Sequence, residues 1–205
     1  MSYRQVGSRR PAKAEPPAAV GPARRKAAAP RARAHPAARA RSRQLLARAR
    51  RIRLLLLDID GVLTDGRLYY GPEGELMKAF DVKDGHGIVL VRDHVQLGVI
   101  SGRPGLARRR LEELRFQHLV FGQRDKLVGY AELAHLGIPD GEVAFMGDDV
   151  NDLPLLGRVG LSACPADARP EVRAAVRFVA SAPGGRGAVR ELCELILRAK
   201  RIPTS

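Results

Sequence analysis

The sequence predicts an α/β fold: a mostly parallel sheet with helices on both faces, and a β-hairpin after the first strand. Three observations predict it. From Arg53 onward short apolar runs alternate with helical patterns, the signature of repeated βα units. One run, Leu54–Leu57, is apolar at every position, as suits a strand buried on both faces. Two runs end in clustered acids, and in such sheets ligands bind beyond the carboxyl ends of the strands.

The elements follow in order. Arg53–Leu57 reads as a strand. Leu68–Tyr70 and Leu76–Phe80 flank Gly71-Pro72-Glu73-Gly74 and read as a hairpin. Asp84–Leu97 has a helical apolar face through Ile88, Val91 and Val95, and Gly98–Ile100 a strand. Pro104–Leu114 is a helix, Leu119–Phe121 a strand, and Asp125–Leu136 a helix closed by Gly137. Val143–Met146 is a strand, Asp149–Leu156 a helix, and Val159–Ser162 a strand. A short helix near Glu171–Ala175, a strand at Phe178–Val179 and a helix at Ala188–Lys200 complete the chain.

The first 52 residues read as a separate basic tail, with the domain proper at 53–205. Residues 1 to about 42 are Ala, Pro and Arg in irregular order and carry no apolar pattern to offset ordering entropy, so they are expected to lack structure. Residues 43–52 suit a short basic helix. The formal net charge of +14 invites a nucleic-acid reading, but its distribution points away from one. Residues 1–53 carry 16 of the 36 Lys and Arg and one of the 22 acids, so the remainder is nearly neutral. Aromatics are 4% and Trp is absent, which does not suit a base-stacking surface. The tail reads as an inert extension or the product of a start codon placed too far upstream, with targeting or loose polyanion binding as the other readings. Cys164 and Cys193 match no metal spacing or disulfide framework, and no apolar run approaches the roughly 20 residues of a membrane helix. The expected location is a reducing cytoplasm.

The chemistry concentrates in four places. Leu54–Leu57 delivers Asp58 and Asp60, and Gly61 then permits a sharp turn that brings Asp60 back toward Asp58. Two adjacent acids repel, and a cation between them resolves this. Val143–Met146 likewise leads to Asp148, Asp149 and Asp152. These could simply cap a helix, but two acid-tipped strands in one parallel sheet suit magnesium, which prefers oxygen ligands. Ser101-Gly102-Arg103 stands between a strand and a helix, a place that cradles anions or where Ser merely caps. Lys126 opens a helix, where a cation opposes the dipole unless an anion compensates it.

Asp-x-Asp, then Ser, then Lys, then Gly-Asp-Asp-x-x-Asp, each after a strand, resembles the haloacid dehalogenase superfamily of phosphotransferases across residues 54 to about 155. The resemblance implies a Rossmann-like domain with Asp58 as nucleophile and Asp60 as general acid and base. It implies magnesium on Asp58, Asp148 and the backbone carbonyl of Asp60. Ser101 and Lys126 would hold the phosphoryl group, with Asp149 and Asp152 orienting metal-bound water. Asp60–Gly66, Lys78–Gly85, Gly147–Pro154 and Gly184–Glu191 further resemble the 3-deoxy-D-manno-octulosonate 8-phosphate phosphatase family, from about Leu54 to Lys200. That family is capless and tetrameric, and its hairpins form a shared barrel. By this resemblance Asp81, Val82, Lys83, Asp84, Gly85, Gly102, Arg103 and Arg110 contact the sugar-acid substrate, and Arg186 does so, in a neighbour's site if the glycine-rich segment reaches across. Val89 departs from the family, which has a basic residue there. Nine-carbon acid phosphatases share the same motifs. So do non-catalytic assembly modules of sialic-acid-activating systems, although here the catalytic set is intact. A nucleic-acid phosphatase guided by the tail is a further reading.

Overall fold

The computed structural model describes residues 36–103 and 105–203. Six parallel strands form one sheet in the order β5-β4-β1-β6-β7-β8: His118–Phe121, Gln96–Ser101, Leu54–Leu57, Val143–Met146, Leu161–Cys164 and Phe178–Val179. The helices are α1 (Pro36–Arg51), α2 (Val82–Val91), α3 (Arg108–Glu113), α4 (Lys126–Ala131), α5 (Leu153–Arg158), α6 (Pro170–Ala175) and α7 (Ala188–Lys200). An antiparallel hairpin, β2 (Tyr69–Gly71) and β3 (Gly74–Met77), stands apart from the sheet.

Alternation along the strands divides the core into two layers. Leu55, Leu57, Leu97, Val99, Ala144 and Met146 face α1, α2, α3 and α7. Leu54, Leu56, Ile100, Val143 and Phe145 face α4, α5 and α6. All four leucines of β1 are buried, each worth about 1.5–3 kcal/mol, so the central strand and the acids at its tip are firmly held. Both faces carry helices, as the sequence predicts.

Several boundaries differ from expectation. Residues 36–42, expected to be unstructured, are the first turns of α1. Pro36 occupies the first helical position, where its missing N–H is no loss. The helix docks through Leu45 and Leu46, with Ala49 and Ile52 fully buried behind them. Arg48 donates to the Gly160 carbonyl, and Lys200 to that of Arg50. The expectation for residues 1–35 lies outside the described residues, as does the helix start placed at Pro104. The expected helix 84–97 ends at Val91, because Leu97 and Val99 are needed as strand residues opposite Leu55 and Leu57. The expected strand 159–162 is found at 161–164, since Gly160 donates its N–H to the Asp140 carbonyl outside the sheet. The expected helix 125–136 splits into α4 and a 3-10 turn at Ala134–Leu136, closed by Gly137 in the left-handed conformation. The helix expected from Asp149 starts with a 3-10 turn, Val150–Asp152, before α5.

Candidate active site

The site follows from strand order. β1 lies between β4 and β6, with Leu57 level with Val99 and Met146. The residues at or just past three neighbouring tips, Asp58, Ser101 and Asp148, therefore open on one cleft of about 330 Å3, shared with Asp60, Gly66, Gly102, Arg103, Lys126, Asp149 and Asn151. Asp58 extends the register by donating its N–H to the Met146 carbonyl at 3.0 Å.

After Asp58 the chain turns through Asp60 and Gly61, the latter at φ +81°. A Cβ on Gly61 would collide with the Asp148 carboxylate, so glycine here lets the two acidic loops meet. One carboxylate oxygen from each of Asp58, Asp148 and Asp152 lies within 4.8 Å of the others.

Lys126 is the counter-charge. Its side chain is 1% exposed, its ammonium 2.7 Å from Asp58 Oδ2 and 3.4 Å from Asp152 Oδ1, and it donates to the Ile100 carbonyl at 2.8 Å. Asp125 caps the helix that begins with it. Thus α4 delivers its charge to the acid at the tip of β1. Asp152 Oδ2 accepts the N–H groups of Asp148 and Asp149 at 2.9 and 3.1 Å, which fixes the second acidic loop. Asp149 caps the following turn through Val150 N–H. Ser101 Oγ accepts the Arg103 N–H at 3.3 Å.

One buried lysine does not balance three acids. Burial pushes Asp58 up to about 6, against the pull of Lys126. Burial, then the charges of Asp152 and Asp58, push Asp148 up to about 8. Asp152 Oδ1 is buried without a hydrogen bond. A compact all-oxygen set with excess negative charge and an unsatisfied oxygen fits a hard divalent cation such as magnesium.

The residues assigned to substrate divide. Gly102 and Arg103 line the cleft, with the Arg103 side chain 42% exposed at its rim. Asp81 caps α2 through the N–H groups of Lys83 and Asp84. Val82 and Lys83 are exposed, while Asp84 and Gly85 are buried. Asp84 accepts the N–H groups of Gly187 and Arg190 at 3.0 and 2.7 Å, so its carboxylate anchors the glycine-rich segment. Arg110 pairs with Glu113 and packs by Gly85, and Arg186 is exposed. Val89 packs against the core.

Lys78 and Glu75, close to Asp60, were given no role of their own from sequence. Lys78 hydrogen-bonds Asp60 Oδ1 and stands 2.7 Å from Glu75 Oε1, while Arg103 Nε is 3.4 Å from Asp60 Oδ2. Burial alone would lower the Lys78 pKa, but hydrogen bonds to Asp60 and Glu75 more than reverse this and raise it. Their signal was faint: two charged residues three apart on a hairpin read as solvated surface.

Residues 117–190 match the family model described as haloacid dehalogenase-like hydrolase. The chain is 46% identical over 159 residues to the 3-deoxy-D-manno-octulosonate 8-phosphate phosphatase of Yersinia pestis, covering 76% of this chain and 85% of that protein. It is 43% identical over 162 residues to that of Escherichia coli K12, covering 78% and 86%. A crystal structure of the Moraxella catarrhalis phosphatase of the same name, in complex with magnesium ion, phosphate ion and KDO, superposes with a TM-score of 0.74 at 37% identity, covering 77% of this chain and 92% of that one. Sequence, fold and the acid-tipped strands agree, and the chain belongs to the 3-deoxy-D-manno-octulosonate 8-phosphate phosphatase family of haloacid dehalogenase-like hydrolases.

Proposed function

We propose that this chain hydrolyses 3-deoxy-D-manno-octulosonate 8-phosphate to the free sugar acid and phosphate, through an aspartyl-phosphate on Asp58. The observation that carries the reading is the set around Asp58: its carboxylate opens on the cleft, paired with buried Lys126 and within reach of Asp148 and Asp152. Relatives named for this activity are 43–46% identical over 76–78% of the chain.

Asp58 attacks phosphorus, and the ester P–O bond breaks as the new bond forms, which divides one hard displacement into two easier steps. Asp60 gives a proton to the departing sugar oxygen, then takes one from the water that hydrolyses the aspartyl-phosphate. Lys126 steadies Asp58 and, with the Ser101 hydroxyl, stabilises charge on the phosphoryl oxygens. Asp58, Asp148 and the Asp60 backbone carbonyl would hold magnesium, which when bound neutralises charge between nucleophile and phosphate. Asp152 and Asp149 keep the second loop in place. Arg103, at the rim, suits the substrate carboxylate by bidentate pairing.

Among the described residues no second domain covers the cleft. The hairpin exposes Tyr70, Leu76 and Met77, an apolar surface suited to a second copy. We place the active form as a tetramer whose hairpins associate, with the exposed side chain of Arg186 offered to a neighbouring cleft. No helix among the described residues is long and apolar enough to cross a membrane. The two buried free cysteines suit a cytoplasmic enzyme.

The test is phosphate release from a panel of eight- and nine-carbon sugar-acid phosphates, with magnesium and with EDTA. The eight-carbon ester should have the highest kcat/KM, and EDTA should abolish turnover. Preference for a nine-carbon ester would move the substrate assignment. No release from any ester would favour a non-catalytic assembly role.

A further inference from the structure

Lys78 follows β3 directly, and its side chain is 2% exposed although Leu76 and Met77 beside it are open to solvent. A lysine drawn out of water on an exposed hairpin needs paired carboxylates to offset desolvation. It has two: Asp60 in the cleft and Glu75 on its own hairpin. Asp60 needs such support. Its own backbone is extended at a turn and a positive-φ glycine follows it, and its carboxylate is held among the described residues only by Lys78 and Arg103. The Arg103 contact is longer, at 3.4 Å, and comes from a half-open side chain that also faces the cleft.

We infer that Lys78, backed by Glu75, is a positioning residue that aims the Asp60 carboxyl at the leaving-group oxygen, so that the hairpin sets the efficiency of proton delivery. The inference rests on Asp60 being the proton donor proposed above. In the first step the Asp58–phosphorus bond forms and the ester P–O bond breaks. Its electron pair stays on the ester oxygen, which takes the Asp60 proton and leaves as the alcohol. Asp60 becomes a carboxylate facing an ammonium already in place. Glu75 keeps that ammonium paired at both stages.

The reasoning separates substrates by leaving group. A sugar alkoxide departs poorly without a proton, whereas 4-nitrophenolate departs readily without one. The informative quantity is kcat/KM, which reports steps up to aspartyl-phosphate formation and leaves out Asp60's later work as a base. Full-length wild type, K78M, K78R, E75Q and D60N are assayed with magnesium on the best sugar-acid phosphate and on 4-nitrophenyl phosphate. K78M should lower kcat/KM about 30-fold or more for the sugar ester and less than about 5-fold for the aryl ester. K78R should recover most of the loss, and E75Q should show the same split at about 3- to 10-fold. Thermal melting and elution volume check folding, and E75Q carries the test if K78M does not fold. Equal losses on both esters, or no loss on either, would overturn the inference. If D60N splits the substrates and K78M does not, only the role of Lys78 falls. If D60N itself shows no split, the proton-donor reading falls and takes this one with it.

Discussion

Replacing Asp148 by Asn should make the metal-free protein more stable while removing its activity. Burial and neighbouring acids raise Asp148 from the ordinary 3.8 to about 8 in the folded chain. Between those values the folded state holds a proton that the unfolded chain has released. Metal-free stability therefore falls as pH rises from about 4 to about 8, then levels. Each pH unit in that window costs about 1.4 kcal/mol, so near pH 7 the ceiling is about 4 kcal/mol. Relaxation of the acid cluster and its coupling to Asp58 reduce this to about 2 kcal/mol. An Asn does not titrate and escapes the cost. For a domain of this size the gain is about 4–8 °C in Tm. The assay is thermal unfolding in EDTA at fixed protein concentration, from pH 4.5 to 8, for wild type and D148N. The two curves should lie close at pH 4.5 and separate as pH rises, with D148N on top. Adding magnesium at pH 7.5 should raise the wild type and scarcely move D148N, whose phosphatase rate should be at least about 100-fold down. A D148N protein less stable than wild type in EDTA at pH 7.5 would refute the strained-acid account.

Other expectations follow from the same geometry. Lys126→Met leaves Asp58 and Asp152 without their buried partner, so it should destabilise by about 3–5 kcal/mol in chemical denaturation and abolish turnover. Gly61→Ala places a methyl group on the Asp148 carboxylate at a positive-φ position. It should cut kcat by about 100-fold or more, with a weaker magnesium requirement curve as the direct readout. Removing residues 1–35 should leave kcat and Tm unchanged. Removing 1–52 also strips Leu45, Leu46, Ala49 and Ile52 from the core, and should lower stability by several kcal/mol. Equal stability of the two truncations would contradict the docking of α1.

What the sequence showed plainly was local. The acid pairs at the strand tips, Gly61, and the βα rhythm all sit within a few residues of the feature they define. The β1 and β6 tips meet because β6 pairs directly with β1 although the two strands lie far apart in the chain, and the run Leu54–Leu57 told only that its strand is buried on both faces. What was hidden depended on distant partners. Asp84 looked like a cleft residue, yet its oxygens hold N–H groups more than 100 positions away. Lys78 was given no role of its own because nothing near it in sequence announced Asp60. Pro36 fell in a stretch expected to lack structure, yet the ring that ends one helix can begin another. The end of α2 was misjudged because Val95 and Leu97 continue its apolar period until the sheet claims Leu97.

The central claim is the covalent role of Asp58, and it can be measured directly. The enzyme is mixed with magnesium and the eight-carbon sugar-acid phosphate, quenched in acid within a turnover, and reduced with borohydride before peptide mass mapping. An aspartyl-phosphate on Asp58 should appear as that residue converted to homoserine, with D58N giving no conversion and no turnover. Conversion at another residue, or a D58N protein that still releases phosphate at near the normal rate, would contradict the account.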